Sequence, residues 1–277
     1  MTRGFTLLPQ SRVQTTGGLE TSGLIGGPSE TSLHACFEPD EPGCAGHFSI
    51  PTDPTRRLVA FTNPLTPAAE KFRGLSSRLK HIQKRSSLKR LLVTSAVPGE
   101  GKSLIAANLA ITIASHKQRT LLIDGDLRRA SVTKMVDLSG RTGLRHWWKA
   151  KLPVESILYR NDQLPLWLLP SDMQTDSPVN ILQSPELQQL IAAMSALFEW
   201  VIIDSPPITV FADAASWSVT ADGIILVARY GVTPASCLGR ALKEIDTAKI
   251  AAIVLNGADV REEHNYYAHY YGHQIAP

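Results

Sequence analysis

The sequence predicts an α/β domain of doubly wound type, built on a mostly parallel sheet. Two observations carry this expectation. Apolar runs at Leu91 to Ser95, Thr120 to Ile123, Trp200 to Ile203, Ile224 to Val227 and Ile250 to Leu255 are continuous rather than alternating. That is the pattern of strands covered on both faces. Between them lie stripes at helical spacing, first Leu187, Leu190, Ile191, Met194 and Leu197, then Ala235, Leu238, Leu242 and Ile245. Strands and helices alternating in this way put ligands at the carboxyl ends of the strands.

Along the chain, residues 1–57 are rich in Gly, Pro, Ser and Thr and keep no period of strand or helix. They offer too little apolar surface to repay the entropy of ordering, so a disordered or loosely packed segment is expected. Residues 58–260 are expected to form the folded domain. It opens on a helix between Pro67 and Gln83, where Phe72, Leu75, Leu79 and Ile82 recur at helical spacing. The strand from Leu91 follows, then a helix from Leu104 to Ser115 and the strand from Thr120. Trp147, Trp148 and Trp167 are expected to pack in a less regular insertion. Residues 261–277 read as a mobile tail, and His264 to Pro277 holds four of the chain's six tyrosines in two pairs.

A net charge of +3 over 277 residues, with scattered Lys and Arg, argues against a nucleic-acid partner. The cluster Lys84, Arg85, Lys89 and Arg90 reads as a solvated helix end and loop. Cys36, Cys44 and Cys237 make neither a disulfide framework nor a zinc array, which points to a reducing compartment. The opening residues lack the apolar stretch of a secretion signal. The most apolar run, LIAANLAITIA, has about half the length a bilayer requires. A cytoplasmic chain is expected, reaching the inner membrane only through a partner.

The chemistry begins at residues 95–103, SAVPGEGKS. Gly101, Lys102 and Ser103 match the end of the P-loop pattern, with Ala96 where its first glycine stands. Gly99 and Gly101 permit a tight turn whose backbone N–H groups face phosphate. Lys102 would reach the β and γ phosphates and the Ser103 hydroxyl would complete a Mg²⁺ shell. The nucleotide contacts are therefore placed at Gly99, Glu100, Gly101, Lys102, Ser103 and Leu104. In LLIDGDLRR, Asp124 and Asp126 stand where an apolar strand meets solvent. Such a pair can hold Mg²⁺ and its waters, and one member can orient or deprotonate a hydroxyl. Arg128 or Arg129 could neutralise developing charge. Asp204, in VIIDSPP, is placed like a Walker B carboxylate, which makes Ser103, Asp124 and Asp204 the candidate metal set. For Asp126 and for Asp213, in FADAA, a helix cap or loop acid is an open alternative. Asn256 could meet an adenine edge or form a turn with Gly257.

Taken together, PGEGKS, LLIDGDLRR, VIIDSPP, ADGIILVARYGVT, the VLNG turn and the terminal tyrosines resemble the bacterial tyrosine kinases. These are cytoplasmic autokinases of exopolysaccharide and capsule assembly. The resemblance runs from about Thr66 to the end and implies a P-loop NTPase fold with one Mg-ATP site. It implies Lys102, Asp124, Asp126 and Asp204 as the catalytic set. The phosphate acceptors would be Tyr266, Tyr267, Tyr270 and Tyr271, delivered to a neighbouring subunit. It further implies a homo-oligomer, an activating membrane protein of the polysaccharide chain-length (copolymerase) type, and other protein substrates. Of the family's ExxRxxR assembly helix, Glu70 and Arg73 match while Ser76 replaces the second arginine. Related partitioning ATPases carry a lysine where this chain has Val97, and they lack a tyrosine tail. The alternative is a nucleotide-dependent switch of the same envelope system with little kinase activity.

Overall fold

The computed structural model describes residues 43–172 and 178–258. Strands β1 (Gly46–Phe48), β2 (Arg90–Ser95), β3 (Thr120–Asp124), β4 (Tyr159–Asn161), β5 (Leu166–Leu169), β6 (Trp200–Asp204), β7 (Gly223–Arg229) and β8 (Ile250–Asn256) form one sheet. Their order is β1-β4-β5-β3-β6-β2-β7-β8. Every described neighbour pair is parallel except β4 with β5. The nine described α-helices are α1 (Val59–Thr62), α2 (Pro67–Gln83), α3 (Lys102–Ser115), α4 (Ser131–Met135), α5 (Leu144–Ala150), α6 (Pro178–Leu182), α7 (Pro185–Leu197), α8 (Ala212–Thr220) and α9 (Ala235–Glu244). This is the expected doubly wound α/β architecture.

Four of the five continuous apolar runs became central strands with both faces covered; the fifth, Ile250 to Leu255, is instead the edge strand β8, with Ile253 and Leu255 exposed. Every residue of β3 and β6 is buried, and so is every residue of β2 after Arg90. The helix after the phosphate loop, α3, is apolar all round because it lies inside the molecule against α1, α2 and the sheet. Helix starts follow ordinary capping chemistry. Thr66 Oγ1 accepts from the Ala69 N–H with Pro67 in the first turn, and Ser184 Oγ accepts from the Leu187 N–H with Pro185 in the first turn. Among the described residues, no helix is long and apolar enough to cross a membrane.

Three expectations need correction. The segment up to Arg57 is not loosely packed from residue 43 onward. β1 pairs with β4, Phe48 and Ile50 are buried in the core, and Arg56 reaches the Lys134 carbonyl (2.7 Å) and Asp137 (2.6 Å). A strand of three residues is too short to show a period, so its apolar contribution becomes visible only beside β4. Trp167, expected in an irregular insertion, is a residue of β5, buried and edge-on to Phe198 at 5.2 Å. The Lys/Arg cluster before β2 is also more than a solvated end: Arg90 Nη2 lies 2.5 Å from Asp222 Oδ1. Residues 1–42 and the tail with Tyr266, Tyr267, Tyr270 and Tyr271 lie outside the described residues.

Candidate functional site

The loop after β2 leaves the sheet beside β6, whose other neighbour is β3. Three strand ends therefore face one another: the phosphate loop, Asp204 closing β6 and Asp124 closing β3. Parallel register puts Asp124 directly opposite Asp204. Gly125 then donates its N–H to the Asp204 carbonyl at 2.8 Å. A Cβ on Gly125 would meet that carbonyl at 2.7 Å and the Trp217 indole at 2.8 Å, so only glycine lets the two strand ends close up. The Trp217 N–H donates to the Gly125 carbonyl (3.1 Å) and fixes the crossing from α8.

The phosphate loop is braced from inside. Gly99 (φ 85°) and Gly101 (φ 90°) occupy the left-handed region, as the loop pattern required. Between them Glu100 is buried. Its Oε2 accepts from the Val97 N–H at 2.9 Å and its Oε1 accepts from the Thr233 hydroxyl. Asn256 Nδ2 donates to the Glu100 carbonyl at 2.8 Å, and a Cβ on Gly101 would collide with that carboxamide. Asn256 thus holds the loop from the end of β8 through one of its two Nδ2 protons. Leu104 stands half-buried in the first turn of α3.

Lys102 points from this loop into the acidic strand ends, with Nζ 3.4 Å from Asp126 Oδ2. Asp126 Oδ1 accepts from the backbone of Arg128 (3.3 Å) and Arg129 (3.1 Å), so this residue caps its turn and also faces the site. Asp124 Oδ2 accepts from the Thr133 N–H (2.8 Å) and hydroxyl (2.7 Å). Among the described residues, the remaining oxygen of Asp124, Oδ2 of Asp126 and both oxygens of Asp204 are buried without a well-formed hydrogen bond, although Lys102 faces Asp126 and Asp204 and the Ser103 side chain faces Asp204. Burial pushes the Asp204 carboxyl up to about 8 against the pull of Lys102. It pushes Asp124 up to about 6 against the hydrogen bonds from Thr133. Ser103 lies at the same end of the sheet, buried in the first turn of α3.

Three carboxylates around one ammonium, with four buried oxygens unsatisfied, make a donor set short of positive charge. A hard divalent cation shared with phosphate oxygens fits that shortage, because such ions take only one or two protein carboxylates beside their other ligands. Arg128 is committed elsewhere. Its Nε lies 2.9 Å from Asp213 Oδ2 and its guanidinium stacks 4.5 Å over Phe211. Asp213 therefore orients Arg128 at the rim, while the Arg129 side chain is exposed. Thr133, Thr233, Trp217 and Gly125 were not among the expected site residues, and no local pattern marks the first three.

Glu70 and Arg73 of the assembly pattern form an ion pair on α2, and Arg73 also reaches the Pro64 carbonyl. Ser76 is buried.

Comparison with known proteins agrees with this geometry. A family model described as ParA, NUBPL iron-transfer P-loop NTPase, matches residues 87–256. The tyrosine-protein kinase YwqD of Bacillus subtilis is 31% identical over 78% of this chain and 91% of its own length. The succinoglycan biosynthesis transport protein ExoP of Rhizobium meliloti is 30% identical over 80% of this chain, which spans only 30% of ExoP. Among solved structures, the chimerical protein CapA2B2 superposes with a TM-score of 0.69 at 27% identity, covering 75% of this chain and 92% of that one. A ParA-type nucleotide core, matched along nearly all of YwqD and carrying the phosphate loop and the two acidic strand ends in order, places this chain in the bacterial tyrosine kinase family.

Proposed function

We propose that the chain is a Mg-ATP-dependent protein-tyrosine autokinase that phosphorylates its terminal tyrosine cluster in trans and regulates exopolysaccharide synthesis or export. The observation that carries this reading is the set of unsatisfied buried oxygens on Asp124, Asp126 and Asp204 facing Lys102. Backbone N–H groups of the loop and Lys102 hold the β and γ phosphates of ATP. Ser103, Asp124 and Asp204 are the residues that would hold Mg²⁺, which supplies charge neutralisation on those phosphates. Phosphoryl transfer to a tyrosine breaks the bond to ADP and releases the phenol proton, for which Asp124 and Asp126 are the candidate acceptors.

Delivery in trans follows the resemblance to the tyrosine autokinases, whose tail tyrosines are offered to a neighbouring subunit. Each phosphate adds about −1.5 to −2 charge at neutral pH, so a phosphorylated tail is repelled by the three-carboxylate site and released. ExoP, by its name, acts in succinoglycan biosynthesis and transport. That supports a place for this chain in the cytoplasm, recruited to the inner membrane by a polysaccharide chain-length partner.

A second reading, a nucleotide-dependent switch with little phosphotransfer, is favoured by the ParA-type match across residues 87–256. Intact mass after incubation with ATP and Mg²⁺, with and without the activating membrane protein, decides between the two. Added phosphate on wild type and none on Lys102→Ala supports the kinase. Tight ATP binding with no mass gain under both conditions supports the switch. To test delivery in trans, Lys102→Ala chains are mixed with tail-deleted chains of intact site. Phosphotyrosine should appear on the Lys102→Ala tail; an unmodified tail there, with wild type labelling itself, overturns transfer in trans.

A further inference from the structure

On the side of Asp124 away from the phosphate loop lies a second cleft, about 380 Å³ in volume, between the start of α4, the loop before α5 and the end of β5. It is cationic. Arg141, Arg145 and His146 line it against the single carboxylate Asp172. Both Asp172 oxygens are occupied by the backbone N–H groups of Arg145 and His146, each at 2.8 Å. Among the described residues, two donors of this wall have no partner: the Ser171 hydroxyl, on a side chain only 2% exposed, and the buried Nε of Arg145. An unsatisfied buried hydroxyl beside arginines calls for an acceptor carrying several oxygens.

The cleft and the acidic site share a wall. Thr133 Oγ1 donates to Asp124 and accepts from the Ser171 N–H at 2.9 Å. We propose that this cleft binds an aryl phosphate, the phosphotyrosine of a terminal tail already modified once. The chemistry fits on three counts. Arginine pairs with a phosphate dianion through two parallel N–H donors. The Ser171 hydroxyl supplies a further donor. The cleft lies within the size range of small-ligand pockets. The tail repeats its tyrosines at a separation of four, Tyr266 with Tyr270 and Tyr267 with Tyr271. Four residues of extended chain reach about 13 to 14 Å. That lets one tyrosine stand before Asp124 while its phosphorylated partner, four positions away, reaches across Thr133 into the cleft. Modification of the cluster is then ordered, the first phosphate holding the tail for the next.

The choice of phosphotyrosine rests on the kinase reading, and the test separates the two. Synthetic peptides of residues 262–274, unmodified or phosphorylated at Tyr270, are titrated without nucleotide into full-length Lys102→Ala protein, whose own tail carries no phosphate. The phosphopeptide should bind at least about tenfold tighter than the unmodified one. Arg141→Gln with Arg145→Gln should erase that difference, and Ser171→Ala should reduce it, with melting temperatures close to the parent. If the double variant does not fold, Ser171→Ala alone carries the test. Equal affinity for the two peptides overturns the proposal. So does displacement of the phosphopeptide by inorganic phosphate as readily as by phosphotyrosine, which would make the cleft a general anion site. The absence of any mass gain in wild type with ATP would instead overturn the kinase reading, which these titrations do not touch.

Discussion

The two flanks of the catalytic centre are built on opposite principles. On the flank of β2, β7 and β8, polar groups of the phosphate loop are satisfied within the protein: Glu100 takes Val97 and Thr233, and Asn256 takes the Glu100 carbonyl. On the flank of β3 and β6, buried carboxylate oxygens are left without partners. The first flank is finished in shape before any ligand arrives. The second holds buried carboxyls with only Lys102 to offset them, too little positive charge for all of them to ionise together, and a bound cation would supply the rest. A site of this kind is rigid where phosphates must be recognised and electrostatically incomplete where charge must be neutralised during transfer.

Lys102 faces both flanks, and its loss should have the largest effect. Lys102→Ala should abolish measurable ATP binding by calorimetry and lower autophosphorylation by about a thousandfold or more, with the fold kept. Near-wild-type affinity for Mg-ATP would remove the assignment. Gly101→Ala attacks the finished flank, since a methyl group there enters the Asn256 carboxamide and strains a left-handed residue. It should weaken ATP binding about tenfold or more and lower thermal stability. Asn256→Ala removes the brace and leaves the glycine unstrained, so its loss should be smaller, about three- to tenfold in ATP affinity.

The incomplete flank should respond in the opposite direction. Asp204→Asn removes a carboxyl that ionises only against its burial, so at pH 8 and above, where Asp204 is charged, the ligand-free protein should melt about 2 to 6 °C higher, while Mg-dependent phosphorylation falls about a hundredfold or more. A lower melting temperature would show that the carboxylate is compensated within the protein. The same argument has a pH signature. Burial holds the Asp204 pKa near 8 in the folded chain, above its value in the unfolded one, so the folded state binds the proton more tightly. Stability of the ligand-free protein should therefore decline as pH rises from about 4 to 8, and Asp204→Asn should flatten this slope. Saturating Mg²⁺ and nucleotide should flatten it too. A pH-independent melting temperature across pH 5 to 8 would contradict the raised pKa.

How much of this was legible in the sequence differs from residue to residue. Lys102, Ser103, Asp124, Asp126 and Asp204 were readable because each is fixed by a local rule. Glycines impose the loop, and apolar runs ending in Asp place a carboxylate where a buried strand reaches the surface. The same holds for the central strands and for α2 and α7, whose caps and stripes lie within a few residues of one another. The seat of β1 was not legible, because three residues carry no period and their burial is conferred by β4, more than a hundred positions away. Nor were the roles of Thr133, Thr233 and Asn256. A threonine or asparagine has several possible hydrogen-bond partners, and only the folded arrangement selects one. Asp213 shows the same limit, since its partner Arg128 lies 85 positions distant. The sequence determined which groups can do phosphate chemistry and at which strand ends they stand. The tertiary structure decided which of those groups are already satisfied and which remain open to a ligand, because hydrogen bonding and desolvation depend on neighbours that only folding brings together.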